Sequence, residues 1–276
     1  MEENRLMEDV AKALENVRAQ CPLIHNITNY VTVNDVANIV LAVGASPIMA
    51  ADIAEAGDIA SIAGALVLNI GTLNARTVES MVEAGKRANQ AGVPVVLDPV
   101  GAGASALRNE TTERLLKEVK LTVLRGNLSE ISFIAGEQSN TKGVDAGEAD
   151  ADNDAVAIAK KVAKQLGCVV GITGQVDVVS DGTRVAKIEN GVKLLGKVTG
   201  TGCMTSALVG SYCGANRDAF TATVAGIATM GMAGEISYKA QADRGTGSFH
   251  IGIIDAVSRM DGETVKVWAK LHEVER

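Results

Sequence analysis

Four short runs in the sequence are continuously apolar up to a polar carboxyl end: ALVLNIG from Ala65, VPVVLDPV from Val93, LTVLRGN from Leu121 and CVVGITG from Cys168. Each is strand length, and each is followed by a turn and a stretch with helical spacing. A strand that shows no alternation of polar and apolar residues is buried on both faces, which happens in a parallel sheet covered by helices on each side. The chain is therefore read as α/β, with a central, mostly parallel sheet. LIHNIT from Leu23 and the short SPIMA from Ser46 add a strand and an edge at the start. Helices are expected at the acidic N-terminus, over 33–43, 74–90, 110–119, 128–136 and 153–166. After Gly174 the pattern changes: VDVVSDGTRVAKI alternates with period two about a DG turn and predicts a hairpin. Two uncharged helices follow, then a helix near 251–260, and TVKVWAKLHEV alternates as a last strand. No linker, repeat or low-complexity tract breaks the series, so residues 1–276 are read as one domain. The polar, acidic stretch over 137–154 reads as a surface excursion.

Composition narrows the function classes. Of the 276 residues 47% are hydrophobic but only 3% aromatic, so the core is aliphatic. The balance of 26 basic against 33 acidic residues, a net charge of −7, argues against nucleic acid as a partner. Cys21, Cys168, Cys203 and Cys213 include no CxxC pair, which argues against zinc. The first helix has neither the charge nor the apolar stretch of a targeting peptide, and a cytoplasmic location is expected. Val198 to Asn216 is uncharged and long enough to span a bilayer. Its many Gly, Thr and Ser residues favour a buried helix over membrane insertion.

In an open parallel sheet ligands bind at the carboxyl ends of the strands. Those ends carry Asn26, Thr28 and Asn29; Met49; Asn69, Gly71 and Thr72; Asp98, Pro99 and Gly101; Arg125, Asn127 and Glu130; Thr173, Gly174 and Asp177. The sharpest feature lies later, in VTGTGCM, where Gly200, Thr201 and Gly202 lead into Cys203 at a helix start. Free N–H groups at such a turn, with the positive end of the helix dipole behind them, suit an anion. Close packing of a helix start explains the same glycines. Neither a P-loop lysine nor a dinucleotide glycine fingerprint is present. Asp98 and Glu130, both beside glycines, could share a hydrated Mg²⁺ or serve as a cap and a surface charge. Arg125 could fork onto a phosphate or pair with an acid. Cys203 could be nucleophile, base or core residue, with no His partner near it in sequence. His25 reads as a core or loop histidine.

Together, PLIHNITNYVTVNDVANIVLAVGASPIMA, LDPVGAGAS, LRGNLSEI, GITG with VDVVSDG, and VTGTGCM resemble the hydroxyethylthiazole kinase family. The likeness runs from about Leu23 to the last strand. The first and last blocks are specific to that family; the others are shared with the ribokinase-like superfamily. The resemblance implies a ribokinase-like fold and transfer of the ATP γ-phosphate to 5-(2-hydroxyethyl)-4-methylthiazole in thiamine diphosphate salvage, with Mg²⁺. It implies Met49 and Gly200 at the thiazole with Asn26 nearby, Arg125, Thr173 and Asn127 at ATP, and Asp98 and Glu130 near the metal. It makes Gly200, Thr201, Gly202 and Cys203 the anion hole, with Cys203 where many superfamily relatives carry Asp. It also implies a homotrimer with sites between subunits. The acidic insert over 137–151 is longer than that pattern leads one to expect. A related pyrimidine-alcohol kinase, a silent ligand-binding oligomer of the same fold and a dinucleotide-dependent oxidoreductase stay open at this point, the last disfavoured by its missing fingerprint.

Overall fold

The computed structural model describes residues 2–137 and 148–275, so most of the acidic excursion read at 137–154 lies outside the described residues. Six strands pair in parallel in the spatial order β2 (Ser46–Ile48), β1 (Leu23–Ile27), β3 (Ala65–Asn69), β4 (Val95–Asp98), β5 (Val123–Asn127) and β6 (Val169–Thr173). Beyond β6 the sheet turns antiparallel through β7 (Asp177–Ser180), β8 (Val185–Ile188) and β9 (Leu271–Glu275). The hairpin forms at the expected DG, where Gly182 takes φ +94° and Asp181 Oδ1 accepts from the N–H groups of Thr183 and Arg184.

The apolar runs separate by parity onto two cores. Ile24, Val67, Val96 and Val123 face α1 (Glu2–Gln20), α2 (Val33–Val43), α8 (Thr201–Ala215), α9 (Ala219–Gln241) and α10 (Thr246–Arg259). Leu66, Leu68, Leu97 and Leu124 face α3 (Ile53–Ile62), α4 (Ala75–Ala91), α5 (Ala106–Glu118), α6 (Leu128–Ile134) and α7 (Glu148–Leu166). Helix α8 is uncharged as expected, whereas α9 carries Glu235 and Lys239 near its C-terminal end; both helices are largely buried. α9 is long and apolar enough to cross a membrane by length and composition, yet most of it lies inside the protein. Their close approach depends on small residues: a Cβ on Gly226 would stand 2.7 Å from the Cα of Val209.

Several expectations shift. The last segment is not one strand: α11 (Gly262–Trp268) precedes β9, because the Asp261 side chain accepts from the N–H of Thr264 and starts a helix. Its apparent alternation is misleading, since Val265 is buried while Val267 is 77% exposed. Helix α3, absent from the sequence reading, starts on an Asp52 cap. α5 begins at Ala106 on a Ser105 cap rather than near 110, α7 at Glu148 rather than 153, α8 two residues before Cys203, and α10 at Thr246 rather than near 251.

Candidate active site

The start of α8 lies over the carboxyl ends of the central strands. Gly200 adopts φ +85° at its cap position, and a Cβ there would stand 2.8 Å from Thr32 Cγ2, so a glycine is required twice over. The first intrahelical bond runs from Met204 N–H to Gly200 O. That leaves the N–H groups of Thr201, Gly202 and Cys203 without intrahelical partners. Thr201 and Gly202 line a cavity of about 900 Å³, together with Arg125, Asn127, Thr173 and Asp177.

Arg125 is the hub of this floor. Its Nη1 donates to Gly202 O at 3.1 Å and its Nη2 to Thr173 Oγ1, while Asp98 Oδ2 lies 3.6 Å from Nη1. It is only 8% exposed, and its Nε has no protein partner. The arginine thus pairs with an acid, one of the two roles left open for it, and also fronts the cavity.

Parallel register places Asn69 beside Asp98. Asn69 Nδ2 and Ser206 Oγ each donate to Asp98 Oδ2 at 2.8 Å. Burial pushes the Asp98 carboxyl up to about 6, against the pull of Arg125 and these two bonds. Glu130 closes a capping box on α6: its Oε2 accepts from Asn127 N–H, Asn127 Oδ1 accepts from Glu130 N–H, and Glu130 Oε1 accepts from Gly101 N–H. Among the described residues no three His, Cys, Asp or Glu side chains cluster to ligate an ion directly. The capping box itself realises the cap reading for Glu130. Asp177, at the cavity wall, is pushed up to about 7 by burial, while Gly174 N–H donates to its Oδ1.

Cys203 is half-buried, and its Sγ accepts from Asn29 Nδ2 at 3.2 Å and Asn69 Nδ2 at 3.3 Å. Sequence marks both asparagines only as strand-end residues, through ITN at the end of the first strand and LNIG at the end of the third. Met49 follows the edge strand β2 and packs partly buried against the core. The adjoining Ala50 carbonyl accepts from His25 Nε2 at 2.8 Å, and burial holds that imidazole below its ordinary pKa. Asn26 lies nearly buried on β1, its Nδ2 bonded to Ile24 O and its Oδ1 without a partner. The structure thus gathers Arg125, Thr173, Asn127, Thr201 and Gly202 around one cavity, with Asp98 3.6 Å from Arg125 Nη1, Cys203 next after Gly202 along the chain, and Glu130 behind Asn127. Met49 and Asn26 lie toward the opposite edge of the sheet.

The sequence profile of the hydroxyethylthiazole kinase family matches residues 14–263. The chain is similar to the hydroxyethylthiazole kinase of Ruminiclostridium cellulolyticum, 61% identical over 268 residues that cover 97% of this chain and 98% of that one. It is 57% identical to the enzyme of that name from Clostridium beijerinckii, over 98% and 99% of the two chains. The solved hydroxyethylthiazole kinase protein from Pyrococcus horikoshii superposes with a TM-score of 0.88 at 39% identity, over 96% of this chain and 99% of that one. A pyridoxal kinase from Bacillus subtilis, solved as an ADP complex, shares the ribokinase-like fold at a TM-score of 0.57 and 20% identity, over 74% and 88% of the chains.

Proposed function

The chain belongs to the hydroxyethylthiazole kinase family, and from that premise we propose that it transfers the γ-phosphate of ATP to the hydroxyl of 5-(2-hydroxyethyl)-4-methylthiazole, salvaging the thiazole for thiamine diphosphate. The observation that carries the reading is the start of α8: three unpaired N–H groups and a partly exposed thiol beside a buried arginine and a cavity of about 900 Å³. Phosphoryl transfer requires mainly alignment and neutralisation of charge. In this reading Arg125, Thr173 and Asn127 bind ATP. The N–H groups of Thr201, Gly202 and Cys203 receive the transferring phosphoryl group as an anion hole. Met49, Gly200 and Asn26 bind the thiazole, and the Asn26 Oδ1 supplies an unused acceptor. Cys203 faces the alcohol.

Mg²⁺ would neutralise phosphate charge, held mostly through its own waters. The residues suit a hydrated ion. Asp98 Oδ2 takes both bonds from Asn69 and Ser206, which leaves Oδ1 to a water of the ion's shell. Glu130 contributes charge from behind, since both of its oxygens already accept backbone N–H groups.

A homotrimer with sites between subunits fits the surface beside Met49. Tyr30 is 80% exposed and Val31 56% exposed just after β1, and Ile53 51% exposed just after β2, apolar area that a neighbouring copy would cover. The continuous sheet from β2 to β9 supports reading residues 1–276 as one kinase domain. Four free thiols and ATP as co-substrate suit the cytoplasm. The test is phosphate transfer from radiolabelled ATP to a panel of thiazole and pyrimidine alcohols. Preference for a pyrimidine alcohol, or ATP hydrolysis indifferent to every alcohol, would overturn the assignment.

A further inference from the structure

The sulfur of Cys203 is gripped by a hydrogen-bond network whose direction can be worked out donor by donor. The N–H of Thr32 can only donate, and it donates to Asn29 Oδ1 at 3.2 Å; Thr32 Oγ1 also donates to that oxygen at 3.1 Å. The N–H of Gly71 donates to Asn69 Oδ1 at 2.9 Å. Flipping either carboxamide would set an NH₂ group against a backbone N–H, so the two oxygens are fixed and the two Nδ2 atoms point the other way. Asn29 Nδ2 then has one hydrogen for Asn69 Oδ1 at 2.9 Å and one for Cys203 Sγ. Asn69 Nδ2 has one hydrogen for Asp98 Oδ2 and one for Cys203 Sγ. Every donor and acceptor of both carboxamides is used. Asn29, Asn69 and Asp98 are 4%, 2% and 1% exposed, whereas Cys203 keeps part of its surface open.

Building on the alcohol-kinase reading, we propose that Asn29 and Asn69 are positioning residues for the reaction: they hold the Cys203 sulfur as an acceptor on its protein side and leave its one free direction facing the open side, where the substrate oxygen arrives. A sulfur already receiving two N–H donors has no acceptor among them for its own S–H, so that bond points outward. Asn69 ties the same sulfur to the Asp98 carboxylate through a single side chain. The alcohol side and the metal side of the site are thereby set at a fixed spacing.

The experiment substitutes Asn29→Ala and Asn69→Ala, each in the natural chain and in a Cys203→Ala background. Asn29→Asp and Asn69→Asp serve as same-sized variants that keep the oxygen for Thr32 or Gly71 if an alanine variant fails to fold. Two quantities are read: kcat and KM with the thiazole alcohol and ATP, and the rate at which iodoacetamide alkylates Cys203, followed on its peptide by mass spectrometry. Residues that act through one another give coupled losses of this order. The proposal expects kcat to fall roughly tenfold or more with KM for ATP within about threefold, less than about threefold further loss in the Cys203→Ala background, and a changed alkylation rate. A loss repeated in full in the Cys203→Ala background, or an alkylation rate unchanged in all four single variants, would overturn it. The alkylation measurement needs no turnover, so it succeeds or fails independently of the substrate assignment.

Discussion

Replacing Asp98 by Asn should stabilise the fold at alkaline pH while damaging the enzyme. Burial places the Asp98 carboxyl at about 6 against 3.8 for an ordinary aspartate. Between those values the folded protein binds a proton that the unfolded chain has released, so stability falls as pH rises. The neutral acid contributes in full below pH 3.8; the contribution is lost through the interval up to about 6, and above it the penalty stays constant. At 1.36 kcal/mol for each pH unit of that interval the penalty approaches about 3 kcal/mol. An asparagine has the same shape, can accept from Asn69 and Ser206 through its single oxygen, and never ionises. Denaturant titrations of the two proteins should therefore coincide near pH 4 and diverge to at most about 3 kcal/mol in favour of the variant at pH 8, or roughly 6–10 °C in Tm for a chain of this size. Asp177 is also pushed up, to about 7, but it is common to both proteins and cancels in the difference. Turnover should fall about 10–100-fold, as on losing an outer partner of a hydrated ion. A variant no more stable at pH 8, or one whose advantage does not change with pH, would refute the argument.

Arg125→Ala removes donors to Gly202 O and Thr173 Oγ1 and a charge at the cavity, and should cost about 1.5–3 kcal/mol of ATP affinity by calorimetry; unchanged affinity would make the arginine a partner of Asp98 alone. Cys203→Ala should cost less than the roughly 10²–10⁴-fold typical of a lost general base, whereas Gly200→Val, forced onto φ +85° and against Thr32, should cost more in kcat. Equal losses in steady-state kinetics would refute that ranking. Light scattering at assay concentrations should show an oligomer, and a monomer with full activity would refute a substrate site completed by a neighbour.

Much of the layout was legible because parallel strands buried on both faces announce themselves as unbroken apolar runs, and Asn74, Gly182 and the glycines before Cys203 marked their turns directly. Helix α3 was missed because its core face is Ala56, Gly57 and Ala60, which give little contrast with the polar side, although Asp52 followed by Glu55 was a usable start signal. The C-terminal helix failed for the opposite reason, since TVKVW alternates by accident while Asp261 decides its conformation. Sequence placed Asn29, Asn69 and Asp98 at strand ends, but not the bonds that tie them to Cys203. Asn29 lies in the loop after β1, and Asn69, Asp98 and Ser206 stand on β3, β4 and α8, so only the tertiary arrangement, with the register of β3 against β4, brings them together.

The order of these elements along the chain also sets the order in which the molecule can be assembled on the ribosome. The face of the sheet carrying Leu66, Leu68 and Leu97 has α3 made just before β3 and receives α4 and α5 directly after β3 and β4. The opposite face, with Ile24, Val67, Val96 and Val123, acquires its main cover only when α8 and α9 emerge, long after β5 is complete. At about 5–20 residues per second that interval lasts roughly 5–20 s. Through it the nascent chain presents a broad aliphatic surface, the kind that holdase chaperones bind. Because the anion-binding turn begins that late helix, a chain arrested before α8 has lost its cover and its chemistry together.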